Sequence, residues 1–202
     1  MKKVLIEYII RNKKNFIIIA ILFCIGIAAG IFLVNNSNEI QRQELNEYIT
    51  SLIKKIKETN NVNNFELLML SIKENVTIIL IIWFLGCTII GGIFIYLAIL
   101  YKGFTIGYTI SAMVAVLGIK QGIMISIISL LLQNIIFLPA LFLIAENGIK
   151  LYKGIYTRCI NLKEEVIRHT VIMLITIMLS IFASLTEVYI SMNLLIFLKE
   201  IL

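Results

Sequence analysis

Along this chain, apolar residues gather into long runs separated by polar intervals. The first run, "FIIIAILFCIGIAAGIFLV" (Phe16–Val34), is uncharged throughout. At about 1.5 Å per residue it spans the roughly 30 Å hydrocarbon core of a bilayer as a helix. A removable leader would have a shorter apolar region, about 7–15 residues, ending at a small-residue cleavage site. The "NNSNE" that follows offers no convincing site, so an uncleaved anchor is expected behind the basic head 1–15. The interval 35–75 patterns differently. Leu45, Tyr48, Ile49, Leu52, Ile53 and Ile56 recur at steps of three and four, the period of an amphipathic helix. Asn38 with Gln41 has the spacing of a capping box at its start, and "NNVNN" (60–64) breaks it because clustered asparagines favour turns. A second helix is expected from about Phe65 into the next span, closing a helical hairpin outside the membrane.

The remaining pattern, 76–202, predicts four more spans. They are 76–101, then 104–119 after a turn at Lys102–Gly103, then 123–145 after a turn at "GIKQG" (118–122), and finally 170–190 after a cytoplasmic loop, 146–169. On this reading Glu187 lies near the far interface rather than at the bilayer centre, and five spans put the two termini on opposite sides.

Composition agrees: 60% of the 202 residues are hydrophobic and 15% charged, against about 45–50% and about 25% in soluble domains. So much apolar surface cannot be hidden in a globule of this size. The fold class expected is all-α, a multi-pass membrane protein in contact with lipid. Eleven Lys and Arg fall on the side of the head, Lys102 and 146–169, against seven on the other. The cytoplasm takes the positive side, which places the amino terminus inside and 35–75 and the carboxyl terminus outside. The net charge of +6 therefore reports topology, and nucleic acid is not an expected partner.

Candidate chemistry is sparse. Cys24, Cys87 and Cys159 are odd in number and widely spaced, which argues against disulfides and metal knuckles. His169 stands alone at a span boundary, and Glu164–Glu165 lies on a solvated loop. Nucleophile-elbow, phosphate-loop and zinc-helix patterns are not found, so neither an enzyme, a cofactor nor a metal is expected. Small residues say more. Gly26–Gly30, Gly103–Gly107 with Ser111, and Gly118–Gly122 keep the four-residue step that lets helix backbones approach closely. That step serves packing within the bundle or, alternatively, a partner's span. In "LLQNIIFLPAL" (131–141), Gln133 and Asn134 fall near mid-membrane, where an amide facing lipid would go unpaired at a cost of several kcal/mol. Both should face other helices, as a latch against the third span or as the wall of a polar pocket. Pro139 removes an amide bond and predicts a kink over Ile135–Pro139. On this reading no Asp, Glu, Lys or Arg is buried in the membrane.

Two stretches, "KGFTIGYTISAM" (102–113) and "LLQNIIFLPALFLIA" (131–145), resemble the paired signatures of the stage II sporulation protein M family. The basic head and the outside segment between the first two spans match as well. The resemblance implies a five-span scaffold of engulfment that recruits two peptidoglycan-degrading partners, stage II sporulation proteins D and P, to the septum on the mother-cell side. It implies neither hydrolase activity nor a cofactor. Lys102, Gly103, Gly107, Gln133, Asn134 and Pro139 carry the family motifs, and the stripe from Leu45 to Ile56 is the candidate surface for partners or, equally, the face on which the two hairpin helices pack together or lie on the membrane. The competing expectation is a membrane subunit of a transporter or permease, with the kinked fourth span lining a path.

Overall fold

The computed structural model describes residues 12–58, 64–157 and 161–191, and those residues are helical apart from short turns. Helix α1 is Lys13–Asn35, α2 is Glu39–Glu58, α3 is Asn64–Gly86, α4 is Gly91–Leu117 and α5 is Ile119–Ser126. A π-helical turn, Ile127–Leu131, joins α5 to α6 (Leu132–Thr157), and α7 (Leu162–Thr186) ends in a second π turn, Glu187–Ser191. Five helical stretches are long and apolar enough to cross a membrane: Lys13–Asn35, Phe65–Gly86, Gly91–Leu117, Gln133–Thr157 and Leu162–Tyr189.

Polar side chains punctuate the helices where the sequence places them. Asn36 Nδ2 donates to the Phe32 carbonyl at 2.9 Å and Ser37 Oγ to that of Val34 at 2.7 Å, satisfying carbonyls left open at the end of α1. Gln41 Oε1 accepts from the Asn38 amide at 3.1 Å, which is the return half of the capping box. Gly118 turns the chain between α4 and α5 at φ +81°, a conformation most side chains resist.

The interior spans do not fall where hydropathy alone puts them. The expected turn at Lys102–Gly103 is absent; both residues lie inside the unbroken α4, and the chain instead turns at 87–90. That turn, "CTII" between Gly86 and Gly91–Gly92, is as apolar as a span and so invisible to a hydropathy window. Glycine makes it possible. A Cβ at Gly91 would run into the Leu85 carbonyl, and one at Gly86 would sit 2.6 Å from His169 Nε2. The span expected at 76–101 is therefore Phe65–Gly86, and the one expected at 104–119 is Gly91–Leu117. Likewise α6 runs on to Thr157 and α7 starts at Leu162, so most of the expected loop 146–169 is helix. Pro139 sits inside α6 on its exposed face, and the irregularity of the backbone falls earlier, in the π turn 127–131.

Packing is led by the α1–α4 pair; α3, α6 and α7 pack on one another, and α3 and α6 pack on α4. Ile19, Ile79, Ile82, Ile95, Ile99, Phe137, Leu141, Ile144 and Ile149 are fully buried between them. Large apolar side chains such as Ile21, Phe32, Phe94, Leu97, Met178 and Phe182 stay exposed on the outside, a distribution suited to lipid as solvent. Helix α2 lies across the ends of α1 and α4, with Ile49 buried against Val34 and Ala112, and Leu45 and Tyr108 closing the contact. Ile49 thus packs within the chain, whereas Tyr48, one residue away, is exposed. The side chains of Leu52, Ile53 and Ile56 lie outside the described residues.

Candidate functional site: glycine contacts and polar groups inside the bundle

The glycine steps interlock. A Cβ on Gly26 would meet the Leu100 carbonyl and the Phe104 amide, and one on Gly30 would meet the Phe104 carbonyl and, at 2.6 Å, the Tyr108 amide. From the other side, a Cβ on Gly103 would meet the Phe23 carbonyl and one on Gly107 the Ile27 carbonyl and, at 2.8 Å, its Cα. Residue numbers rise together on both helices, so α1 and α4 run parallel with backbones in contact. The spacing read from the sequence as a packing device performs that role inside the chain. Gly122 serves α5 in the same way: a Cβ there would fall 2.5 Å from Val114 Cα.

With α4 unbroken, Lys102 becomes an intramembrane residue. It is the twelfth residue of a 27-residue helix, about 16 Å from the start at 1.5 Å per residue. Its Nζ lies over the Phe137 ring, 4.9 Å from the centroid, a cation–π contact whose worth grows with desolvation. Glu74 and Glu187 are the carboxylates that interact with it electrostatically. Around them α3, α6 and α7 build a polar cluster. Ser71 Oγ donates to the Glu187 carboxylate and lies 2.8 Å from Ser184 Oγ. Asn75 Nδ2 donates to the same serine at 3.1 Å, and Gln133 Nε2 reaches Ser71 at 3.5 Å. Gln133 does tie α6 to a neighbour, but that neighbour is α3 rather than the helix carrying Gly103. The expectation that no Asp, Glu, Lys or Arg is buried in the spans meets partly buried Lys102 and Glu187 here and fails at Glu146, fully buried within Gln133–Thr157. The misplaced turn had moved Lys102 to the interface.

A second buried cluster lies near the opposite end. His169, Glu146 and Asn147 are each at most 1% exposed. Asn147 Nδ2 stands 2.8 Å from His169 Nδ1, and His169 Nε2 stands 3.2 Å from the Trp83 carbonyl. A carbonyl can only accept, so Nε2 carries the proton and Nδ1 accepts from the amide. Trp83 Nε1 in turn donates to Thr170 Oγ1 at 3.2 Å. Gly86 and Gly148 leave the room this needs, their Cα atoms flanking the imidazole. Read as a boundary residue, His169 is instead a buried joint of α3, α6 and α7. The signal was present: "AENG" carries two polar residues beside a glycine, next to an apolar run that needs no charge.

Asn134 does not face α3. Its Nδ2 donates to the Leu130 carbonyl at 2.7 Å, covering an oxygen in the π turn. It also lines a cavity of about 260 Å³ with Phe23 and Ile27 of α1, Ile106 and Ile110 of α4, and Ser126, Leu130 and Leu138. A larger, more polar groove of about 420 Å³ lies between the end of α1, α2 and Tyr108, with Glu44 and Tyr48 on its wall.

Burial raises the thiol of Cys87, in the α3–α4 turn, above its ordinary value.

No curated protein matches this chain. No solved structure matches it either. A family model described as stage II sporulation protein M matches residues 19–192, which takes in most of the first span, the other four whole and both clusters. A membrane-spanning helical bundle carrying that match over most of its length belongs to the stage II sporulation protein M family.

Proposed function

We propose that this protein is an integral membrane scaffold of engulfment, recruiting and positioning peptidoglycan-degrading partners at the septal membrane. The family match over residues 19–192 carries the reading, and stage II sporulation proteins D and P are the partners the family implies. The bundle suits such a role: glycine contacts lock α1 to α4 without slack, and the buried polar groups bond mainly to one another. Lys102 now drops out of the charge count, yet the cationic bias of the head and of 150–168 persists, so both are placed in the cytoplasm. The α2 face bearing Tyr48 then points outward, toward the wall.

Imaging a tagged copy in an endospore former tests this. Enrichment at the septum, movement with the engulfing membrane and co-purification of wall-degrading proteins are expected. Uniform distribution through sporulation, with no such protein retained, would reject it.

One observation favours transport as a second reading: the ionisable Lys102 and Glu187 are both partly buried within the spans, and intramembrane charges often mark ion or proton paths. A Lys102→Met variant separates the two. The scaffold expects stability to change while partner localisation persists in whatever folds; transport expects a folded protein that has lost a measurable flux in vesicles.

A further inference from the structure

The groove between the end of α1, α2 and α4 brings a carboxylate and two aromatic rings to one place. Glu44, Tyr48 and Tyr108 share its wall with Leu33, Ser37 and Gln41. Glu44 forms no hydrogen bond or ion pair among the described residues. Its polar neighbours are already committed: Ser37 Oγ donates to the Val34 carbonyl at 2.7 Å, and Gln41 Oε1 accepts from the Asn38 amide at 3.1 Å. That second bond orients the Gln41 amide and leaves its Nε2 hydrogens to be used elsewhere. Gln41 and Glu44 are three residues apart on one helix, so their side chains are neighbours. Phe104 stacks on Tyr108, ring centroids 6.0 Å apart, which limits the movement of that ring. Leu33 belongs to the span Lys13–Asn35 and is half exposed on the outside of the bundle, and α1 ends two residues later. The groove thus borders the level where hydrocarbon gives way to headgroups.

Charge restricts what enters. A carboxylate on the wall repels a purely anionic headgroup and attracts a cation, and tyrosine rings favour the same sign. Among cations, a primary ammonium brings three N–H donors, which a trimethylated one lacks. The volume of about 420 Å³ has room for roughly fourteen groups of water size, at about 30 Å³ each. That holds the ethanolamine, phosphate and glycerol of one lipid, while its acyl chains leave along Leu33. We infer that this groove binds the headgroup of an ethanolamine phospholipid, its ammonium on Glu44 beside Tyr48 and Tyr108 and its phosphate on the Gln41 amide. In such a lipid the phosphate is one ethyl ester from the ammonium, and Gln41 is one turn from Glu44. The inference stands apart from the scaffold reading, since it needs only that α1 ends at the membrane boundary.

The test is native mass spectrometry of the full-length protein released from mixed micelles that contain equal amounts of phosphatidylethanolamine, phosphatidylcholine and phosphatidylglycerol with identical chains. The ethanolamine lipid should be retained in preference to the other two. Glu44→Gln should weaken that retention about three- to tenfold, the worth of one hydrogen bond, and Glu44→Lys should abolish the preference. Glu44 is exposed, so neither change endangers folding. Glu47→Gln removes the same charge from the same helix outside the groove and should leave retention as it was. Equal loss in Glu44→Gln and Glu47→Gln would overturn the proposal in favour of diffuse surface charge. Equal retention of the three lipids would overturn it in favour of acyl chains held without a headgroup site. Displacement of the lipid by soluble phosphoethanolamine at matching concentration would point instead to a soluble amine and reject the lipid. A protein lysine joined to Glu44 by carbodiimide, with the lipid absent, would reject it in favour of a partner's side chain.

Discussion

At the residue scale the molecule depends on hydrogen atoms where other residues have carbons. Each of Gly26, Gly30, Gly103 and Gly107 faces backbone atoms of the opposite helix, and a backbone cannot rotate aside as a side chain can. Gly107→Val should therefore cost more than the roughly 1–3 kcal/mol of ordinary overpacking. Reversible unfolding in mixed micelles should register it, with Ile106→Val, on the same helix but beside the cavity, losing much less. These glycines were legible because close approach requires a fixed period that survives any error in helix boundaries. Lys102 was not, since its meaning depends on whether the helix runs through it. Cys87 yields a pH prediction. With burial raising its thiol, less thiolate is present at neutral pH than on a free cysteine. In a Cys24→Ser, Cys159→Ser background its alkylation should be slower than that of a free thiol at pH 7–8. It should keep accelerating at pH values where the free thiol has levelled off.

Among the elements, α2 and the π turn matter most. Periodicity marked α2, and of the stripe the sequence offered for partners Ile49 is buried against Val34 and Ala112 with Leu45 beside it, while Tyr48 is exposed. A partner would meet the exposed face. Tyr48→Asp should leave the protein folded while reducing any retained wall-degrading protein, whereas Ile49→Asp should loosen α2 and expose it to protease. Equal protease sensitivity in the two would mean that the two faces are not distinct. Helix ends were read less well. A turn made of Cys, Thr and two isoleucines between glycines has no polarity to announce it, and only the packing of Gly86 and Gly148 around His169 explains its position. The π turn was equally hidden. Pro139 drew the expected irregularity toward itself, although on the exposed face of α6 the helix continues through it.

For the molecule as a whole, five spans and their family were legible because composition and two motif stretches carry them. Which groups meet inside was not, because it depends on the register of helices distant in sequence. The polar cluster from Ser71 to Glu187 joins residues 116 apart, and no local pattern reports that. Sidedness has its own check: an impermeant maleimide applied outside intact cells should leave Cys87 unlabelled and react once the membrane is opened, since the α3–α4 turn shares the side of the cationic segments. Labelling before opening would invert the topology.

The parallel contact of α1 with α4 sets an order of events during synthesis. The glycine surface of α1 emerges before its mate exists, and all of α2 and α3 must follow before residues 91–117 can meet it. Until then the first helix has to wait in the lipid with its smooth side uncovered, free to drift toward any similar surface. A nascent chain stalled before α4 would present that surface permanently, which makes unfinished copies the species most prone to pair with each other.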